Sequence, residues 1–340
     1  MIPAIFGLSG PILTADERAF FREADPAGYI LFGRNCIDPQ QLRALTDDLR
    51  ALHGRDRLLV SIDQEGGRVA RLRPPLWSHY PPGEAFDRLY ALAPASAIEA
   101  ARANAHAMGL ELAAMGITVD YHPPLDLRFA GMHDVIGDRS LGSDPMQAAA
   151  LGRAILEGLA AGGVAGCIKH MPGHGRAMVD SHKDMPIVHA SAQELEADLA
   201  PFRSLAHAPI GMTGHLMFPV WDAENPATLS AAIIRDVIRG RIGFDGLLLT
   251  DDIDMEALGG PIPERAARAQ AAGCDMVLNC WGRMDDMVGI CEALGPMSEV
   301  TAARLDRALA ATQVAPAIAP AHAELLAKRD ALLALEGQAA

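Results

Sequence analysis

The chain has 340 residues, half of them hydrophobic, enough for a large core built as one barrel or as two smaller domains. Its formal charge is −14, from 43 acidic against 29 basic residues, which disfavours nucleic acid or an anionic membrane as the main partner. Cys36, Cys167, Cys274, Cys280 and Cys291 form no C-x-x-C pair, so free thiols in a reducing cytosol are expected.

In chain order, Ala4–Leu8 is a short apolar run, a first strand. Thr14 and Glu17 form a capping box that starts a helix. Gly28–Phe32 is a second strand, and Asp38-Pro39 opens a helix with Leu42, Leu45 and Leu49 along one side. Leu58–Ile62 is a third strand, ending in Asp63-Gln64-Glu65-Gly66-Gly67-Arg68. The Pro- and Arg-rich stretch 68–93 is expected to be a long loop, and the Ala-rich Ala95–Met115 a helix. Gly116–Tyr121 alternates as a fourth strand, a loop with Asp138 and Arg139 follows, and Pro145–Ala161 is helical. Val164–Ile168 is a fifth strand, leading into a loop.

Ser191–His207 is a helix with Ser191 and Glu194 as its capping box. Pro209–Thr213, Leu247–Leu249 and Asp275–Leu278 are the remaining strands. Helices lie at Ser230–Arg241, at Pro263–Ala272 and, towards the end of the chain, at about 283–294, 298–312 and 321–336. Strand–helix alternation of this kind predicts one (β/α)8 barrel of TIM type spanning 1–340, with a weak first strand and room for irregularity. An open doubly wound sheet would want a Gly-rich phosphate turn after its first strand, and Gly7-Leu-Ser-Gly10 is too short a match. The N-terminal MIPAIFGLSG lacks the basic region of a signal peptide. No apolar run approaches the about 20 residues a membrane helix needs. A cytoplasmic, monomeric protein without a membrane partner is expected.

The chemistry concentrates after the fifth strand. Lys169, His170 and His174 surround Pro172, Gly173 and Gly175, and Asp180-Ser181-His182 follows. The His170/His174 spacing would suit a metal on a helix, but Pro172-Gly173 breaks one, so no metal and no cofactor are expected. Other strand ends supply Asp63 with nearby Arg71, Asp120 with Arg139, His215, and Asp251-Asp252. In a barrel of parallel strands these residues converge on one rim. Charges of both signs suit the hydroxyls of a sugar better than a phosphate, although a web of structural ion pairs has the same composition.

Lys169-His-Met-Pro-Gly-His-Gly175 followed by Asp180-Ser-His182 resembles the signature of glycoside hydrolase family three, in its β-N-acetylglucosaminidase branch. The likeness extends through Ile30–Asn35, Asp63–Arg71, Gly137–Gly142, Gly243–Gly246, Thr250-Asp-Asp252 and Asp275–Leu278. Met171 stands where the family usually has Phe, and Thr250-Asp-Asp-Ile253 where it commonly has Ser-Asp-Asp-Leu. The resemblance implies a retaining exo-enzyme that removes terminal N-acetylglucosamine from cell-wall fragments. It implies that Asp251 is the nucleophile, that His182 oriented by Asp180 is the acid/base, and that Asp63, Arg71, Arg139, Lys169 and His170 hold the sugar. A phosphorylase with the same His–Asp pair, a metal hydrolase and a non-catalytic sugar-binding protein remain alternatives. Strand alternation expects only one of Asp251 and Asp252 to aim at the barrel mouth, without deciding which; the resemblance selects Asp251.

Overall fold

A computed structural model describes residues 1–129, 131, 135–177, 185–310, 312–313 and 321–338. Asp180 and His182 lie outside the described residues. The strands β1 (Ile2–Gly7), β2 (Pro26–Leu31), β3 (Leu59–Ile62), β4 (Val119–Asp120), β5 (Ala165–Met171), β6 (Ile210–Thr213), β7 (Leu247–Asp252) and β8 (Met276–Asn279) form a closed parallel barrel in chain order. Its helices are α1 (Ala15–Ala24), α2 (Pro39–His53), α3 (Gly83–Leu92), α4 (Pro94–Ala114), α5 (Pro145–Ala161) and α6 (Leu195–Ser204). They continue, after a wide-turn π-helix at Ile233–Ile242, with α7 (Ile262–Ala272), α8 (Met284–Ala293), α9 (Glu299–Leu309) and α10 (Ala321–Leu333).

Alternation divides the apolar side chains into two layers. Ile5, Ile30, Leu59, Val119, Ile210, Leu247 and Leu249 fill the barrel interior, while Phe6, Leu31, Val60, Ile168 and Leu248 pack outward beneath the helices. Thr14 and Glu17 cap α1 reciprocally, and Asp38 accepts from the Gln40 and Gln41 amides to start α2.

Several expectations need correction. Residues 83–92 are helical, because Phe86 and Leu89 supply a buried face once the Pro81-Pro82 pair is passed. β1 is a full strand of six residues, whereas β4 has only two. Ser191 and Glu194 do bond reciprocally, but around a turn, and α6 begins only at Leu195. β5 runs on through Lys169 and His170 to Met171, because Lys169 N donates to Pro123 O and Leu125 N to Lys169 O. Lys169 and His170 therefore sit on a strand, not on a loop.

Candidate active site

The mouth at the C-terminal ends of the strands holds a cavity of about 170 Å³, partly open to solvent. Asp63, Arg71, Arg139, Lys169, His170, Asp251 and Asp252 line it, together with the apolar Phe32, Tyr121, Met212 and Met255.

Two irregularities decide what faces this cavity. Between β5 and β6 the register passes from Ile168↔Gly211 to Met171↔Thr213, and between β7 and β8 from Leu249↔Met276 to Asp252↔Leu278. In each case one strand advances three residues while its partner advances two, so β5 and β7 each carry a bulge. A bulge breaks strict alternation. Lys169 and His170, and likewise Asp251 and Asp252, can thus both line the mouth. The expectation that only one of the two aspartates would do so is overturned. Asp251 follows the interior phase of Leu247 and Leu249, and the added residue brings Asp252 to the same cavity.

The β3–β5 side is a chain of ion pairs. Lys169 Nζ lies 3.0 Å from Asp63 Oδ1 and 2.7 Å from Glu65 Oε1. Arg71 donates to Asp63 Oδ2 at 3.0 Å, and Arg139 grips both Glu65 oxygens at 2.8 Å. Burial would neutralise each of these groups, but their partners outweigh it. Lys169 and Arg139 are held above their ordinary pKa, with Glu65 the main opposing influence on burial in both. Asp63 is held below its ordinary value by Lys169 and Arg71, and Glu65 well below by Arg139 and Lys169. Arg71 Nε is buried with no hydrogen-bond partner among the described residues.

Asp126 organises the next element. His170 Nδ1–H donates to its carboxylate at 2.7 Å, and the His174 amide donates to the same group at 2.7 Å. The His170 ring is thereby fixed with Nδ1 protonated and Nε2 left for a ligand. Asp120 at the end of β4 is wholly buried and accepts from the Gln64 amide, and burial pushes its pKa well above the ordinary value. Gln64 in turn accepts from the Arg71 and Leu72 amides, tying the loop that carries Asp63, Glu65 and Arg71.

The β6–β8 side is acid-rich. Burial works to raise the Asp251 pKa, yet His170, His215 and the Asp252 amide, which donates to Asp251 Oδ1 at 2.8 Å, hold it below its ordinary value. Asp252 is raised to about 8 by burial and by Asp254 and Asp251. A buried relay supports this strand end. The Thr213 hydroxyl lies 2.8 Å from that of Thr228, which lies 2.7 Å from His215 Nδ1, and His215 Nε2–H donates to the Asp252 carbonyl at 2.9 Å. Among the described residues no three His, Cys, Asp or Glu side chains gather as a metal-binding group.

The structure thus brings together Asp63, Arg71, Arg139, Lys169, His170 and Asp251. Sequence reasoning passed over Glu65 and Asp126. Glu65 stands two residues from Asp63, the same-side spacing of an extended strand end. Asp126 lies between Leu125 and Leu127, and a buried acid in apolar company needs a partner.

Residues 12–313 match the family model described as the glycosyl hydrolase family 3 N terminal domain. The chain belongs to glycoside hydrolase family 3. Within it, the chain is 42% identical over 292 residues to a beta-hexosaminidase of Alkalilimnicola ehrlichii, covering 82% of this chain and 80% of the relative. It is 38% identical over 311 residues to one of Chromobacterium violaceum, covering 90% and 86%. NagZ from Neisseria gonorrhoeae, solved in complex with N-trifluoroacetyl-D-glucosamine, superposes with a TM-score of 0.88 at 32% identity, covering 97% of this chain and 98% of that one. This family 3 chain is a β-hexosaminidase, a glycosidase on a TIM-type barrel.

Proposed function

We propose that the whole chain acts as one catalytic domain, a retaining exo-β-N-acetylglucosaminidase. Its substrate is a terminal N-acetylglucosamine linked to anhydro-N-acetylmuramic acid, with or without peptide, in a cell-wall recycling route inside the cytoplasm. The observation that carries this reading is the division of one cavity into a charge-paired wall and an ionised acid. Asp63, Arg71, Arg139, Lys169 and His170 offer donors and acceptors to the hydroxyls of a sugar, and Asp251 faces the same space with a lowered pKa. The aminosugar bound to the gonococcal relative supports the ring identity.

In this mechanism Asp251 attacks the anomeric carbon and forms a glycosyl ester while the C1–O bond breaks. His182 gives its proton to the departing oxygen, and Asp180 holds the imidazole in the needed tautomer. Water then attacks C1, His182 takes its proton, and Asp251 leaves as carboxylate. An imidazole, with a pKa of about 6.5, can give and retake a proton near neutral pH without the burial a Glu would need. Neither a metal nor a cofactor takes part.

The test is an assay on an aryl N-acetyl-β-glucosaminide and on the muramic disaccharide, with EDTA and phosphate as controls, followed by trapping with a fluorinated sugar. The expected result is phosphate-independent hydrolysis that survives EDTA, with the label on Asp251. A sugar-phosphate product, loss of activity to EDTA, or a label on Asp252 would overturn the corresponding part of the mechanism.

A further inference from the structure

The charge-paired wall of the cavity is partly built from a loop, and that loop leans on the last helix. Glu65 and Val69 meet across a tight turn, where the Glu65 amide donates to the Val69 carbonyl at 2.9 Å. Glu65 pairs with Lys169 and Arg139, and Val69 lines the cavity. Residues 77–83 run behind this turn. The Gly67 amide donates to the Tyr80 carbonyl at 2.9 Å. A Cβ on Gly66 would overlap the Pro81 carbonyl, and one on Gly67 the Pro82 ring, so the two segments touch with no side chain between them. At the end of the segment a Cβ on Gly83 would overlap the Arg139 carbonyl. The position of residues 77–83 therefore sets that of Glu65 and Arg139.

Two ties hold this segment from outside. Ser78 donates through its amide and its hydroxyl to Glu111 Oε1 on α4, at 3.1 and 3.0 Å. The second tie comes from α10. Of its 13 residues only Arg329 is fully buried, while Leu325, Leu326, Leu332 and Leu333 are half-buried against the core. Arg329 Nη1 donates to the His79 carbonyl at 2.9 Å and to Asn104 Oδ1 at 3.1 Å, and the guanidinium stands 6.0 Å from the Tyr80 ring centre. Its counter-ion Asp330 is 63% exposed, so the charge is met from the solvent side and the inward donor is directed at residue 79 and α4. An apolar side chain would dock the helix without the cost of burying a cation. A donor aimed at a loop carbonyl also fixes where that loop lies.

We infer that Arg329 is a positioning residue for the sugar grip, acting through His79 and Tyr80 on the Gly66-Gly67 turn and so on Glu65 and Arg139. This rests on the reading that the β3–β5 wall holds the terminal sugar. Asp251, on β7, lies outside this chain of contacts.

The test measures kinetics, binding and melting temperature in the full-length enzyme. Arg329→Met is expected to raise KM for an aryl N-acetyl-β-glucosaminide, and the Kd of N-acetylglucosamine, about five- to tenfold, with kcat held within about twofold. Arg329→Lys keeps a donor for the His79 carbonyl and should recover most of the affinity. Arg329→Gln takes the place of the methionine variant if that chain does not fold. Leu332→Ala removes apolar docking of the same helix, and should lower the melting temperature with little change in KM. Unchanged KM and Kd in Arg329→Met would overturn the inference. So would a rise in KM that follows the fall in melting temperature equally in Arg329→Met and Leu332→Ala, because docking of the helix would then explain both. Asp63→Ala separates the inference from the reading beneath it. If Asp63→Ala leaves the affinity for N-acetylglucosamine intact, the wall does not hold the sugar and the role of Arg329 falls with it. If Asp63→Ala weakens binding and Arg329→Met does not, the role of Arg329 alone falls.

Discussion

The two walls of the cavity solve the burial of charge in opposite ways. On the β3–β5 side each ion has a counter-ion: Asp63 with Lys169 and Arg71, Glu65 with Lys169 and Arg139. Each of these charges is balanced by a partner of opposite sign, three cations against two acids, and the pairing offsets their burial. On the β7–β8 side Asp251, Asp252 and Asp254 crowd together without a cation within ion-pair distance among the described residues. The pKa values separate instead, Asp251 lowered and Asp252 raised to about 8. A balanced wall suits a task of holding, since nothing on it needs to change charge. An unbalanced wall suits a task of reacting, since one acid is kept ionised and its neighbour kept neutral.

The largest expected effect lies on the unbalanced wall. Asp251→Ala should lower kcat by on the order of 10³–10⁶ while the protein folds and binds N-acetylglucosamine, as steady-state kinetics and a binding titration can check. A near-normal rate would remove Asp251 from the chemistry and make the two walls alike.

Glu65→Ala attacks the balanced wall, leaving Arg139 and one side of Lys169 buried without their counter-ion. A loss of about 3–5 kcal/mol in folding stability is expected from urea unfolding. A loss below about 1 kcal/mol would mean that the network is solvated like a surface ion pair.

The walls should also respond to pH with opposite sign. Asp63 and Glu65 have lowered values, so the stability they contribute is present above the ordinary carboxylate range of about 4 and is lost as pH falls through their folded values. Asp252 is raised to about 8, so the folded chain holds a proton that the unfolded chain has released from about pH 4 upward. Its contribution becomes unfavourable as pH rises through that window. Asp252→Asn should therefore gain melting temperature relative to the parent at pH 8 and little at pH 4. Parallel curves for the two proteins would show that Asp252 is ionised throughout.

The smallest effect sharpens the comparison by exposure. Arg68 and Asp138 form a 2.6 Å pair on the same loops as Glu65 and Arg139, but their side chains are 47% and 33% exposed. Arg68→Ala should cost no more than about 1 kcal/mol, measured beside Glu65→Ala in the same titration. A cost equal to that of Glu65→Ala would mean that burial is not what separates the two pairs.

Much of the barrel was legible because its strands are short apolar runs between helical patterns, a signal that survives without tertiary information. α3 was hidden because the Pro- and Arg-rich composition of residues 68–82 masked the Phe86/Leu89 face that follows. Asp63, Arg71, Arg139, Lys169, His170 and Asp251 could be named because they stand at strand ends or in the loops after them, within recognisable motifs. Glu65 and Asp126 could not, since their importance lies in partners 74 and 44 residues away, Arg139 and His170.

The sequence by itself determined that eight parallel strands close on one another, that their polar ends meet on one rim, and that this rim mixes acids with cations. Local periodicity and strand direction suffice for that. Tertiary structure alone decided which neighbouring side chains share the cavity. A bulge exists only relative to a paired strand, so the added residues in β5 and β7, which bring His170 beside Lys169 and Asp252 beside Asp251, have no signature in the chain that carries them. The charge states were decided in the same way, because whether a buried aspartate is ionised depends on which cations the fold has placed within about 4 Å of it.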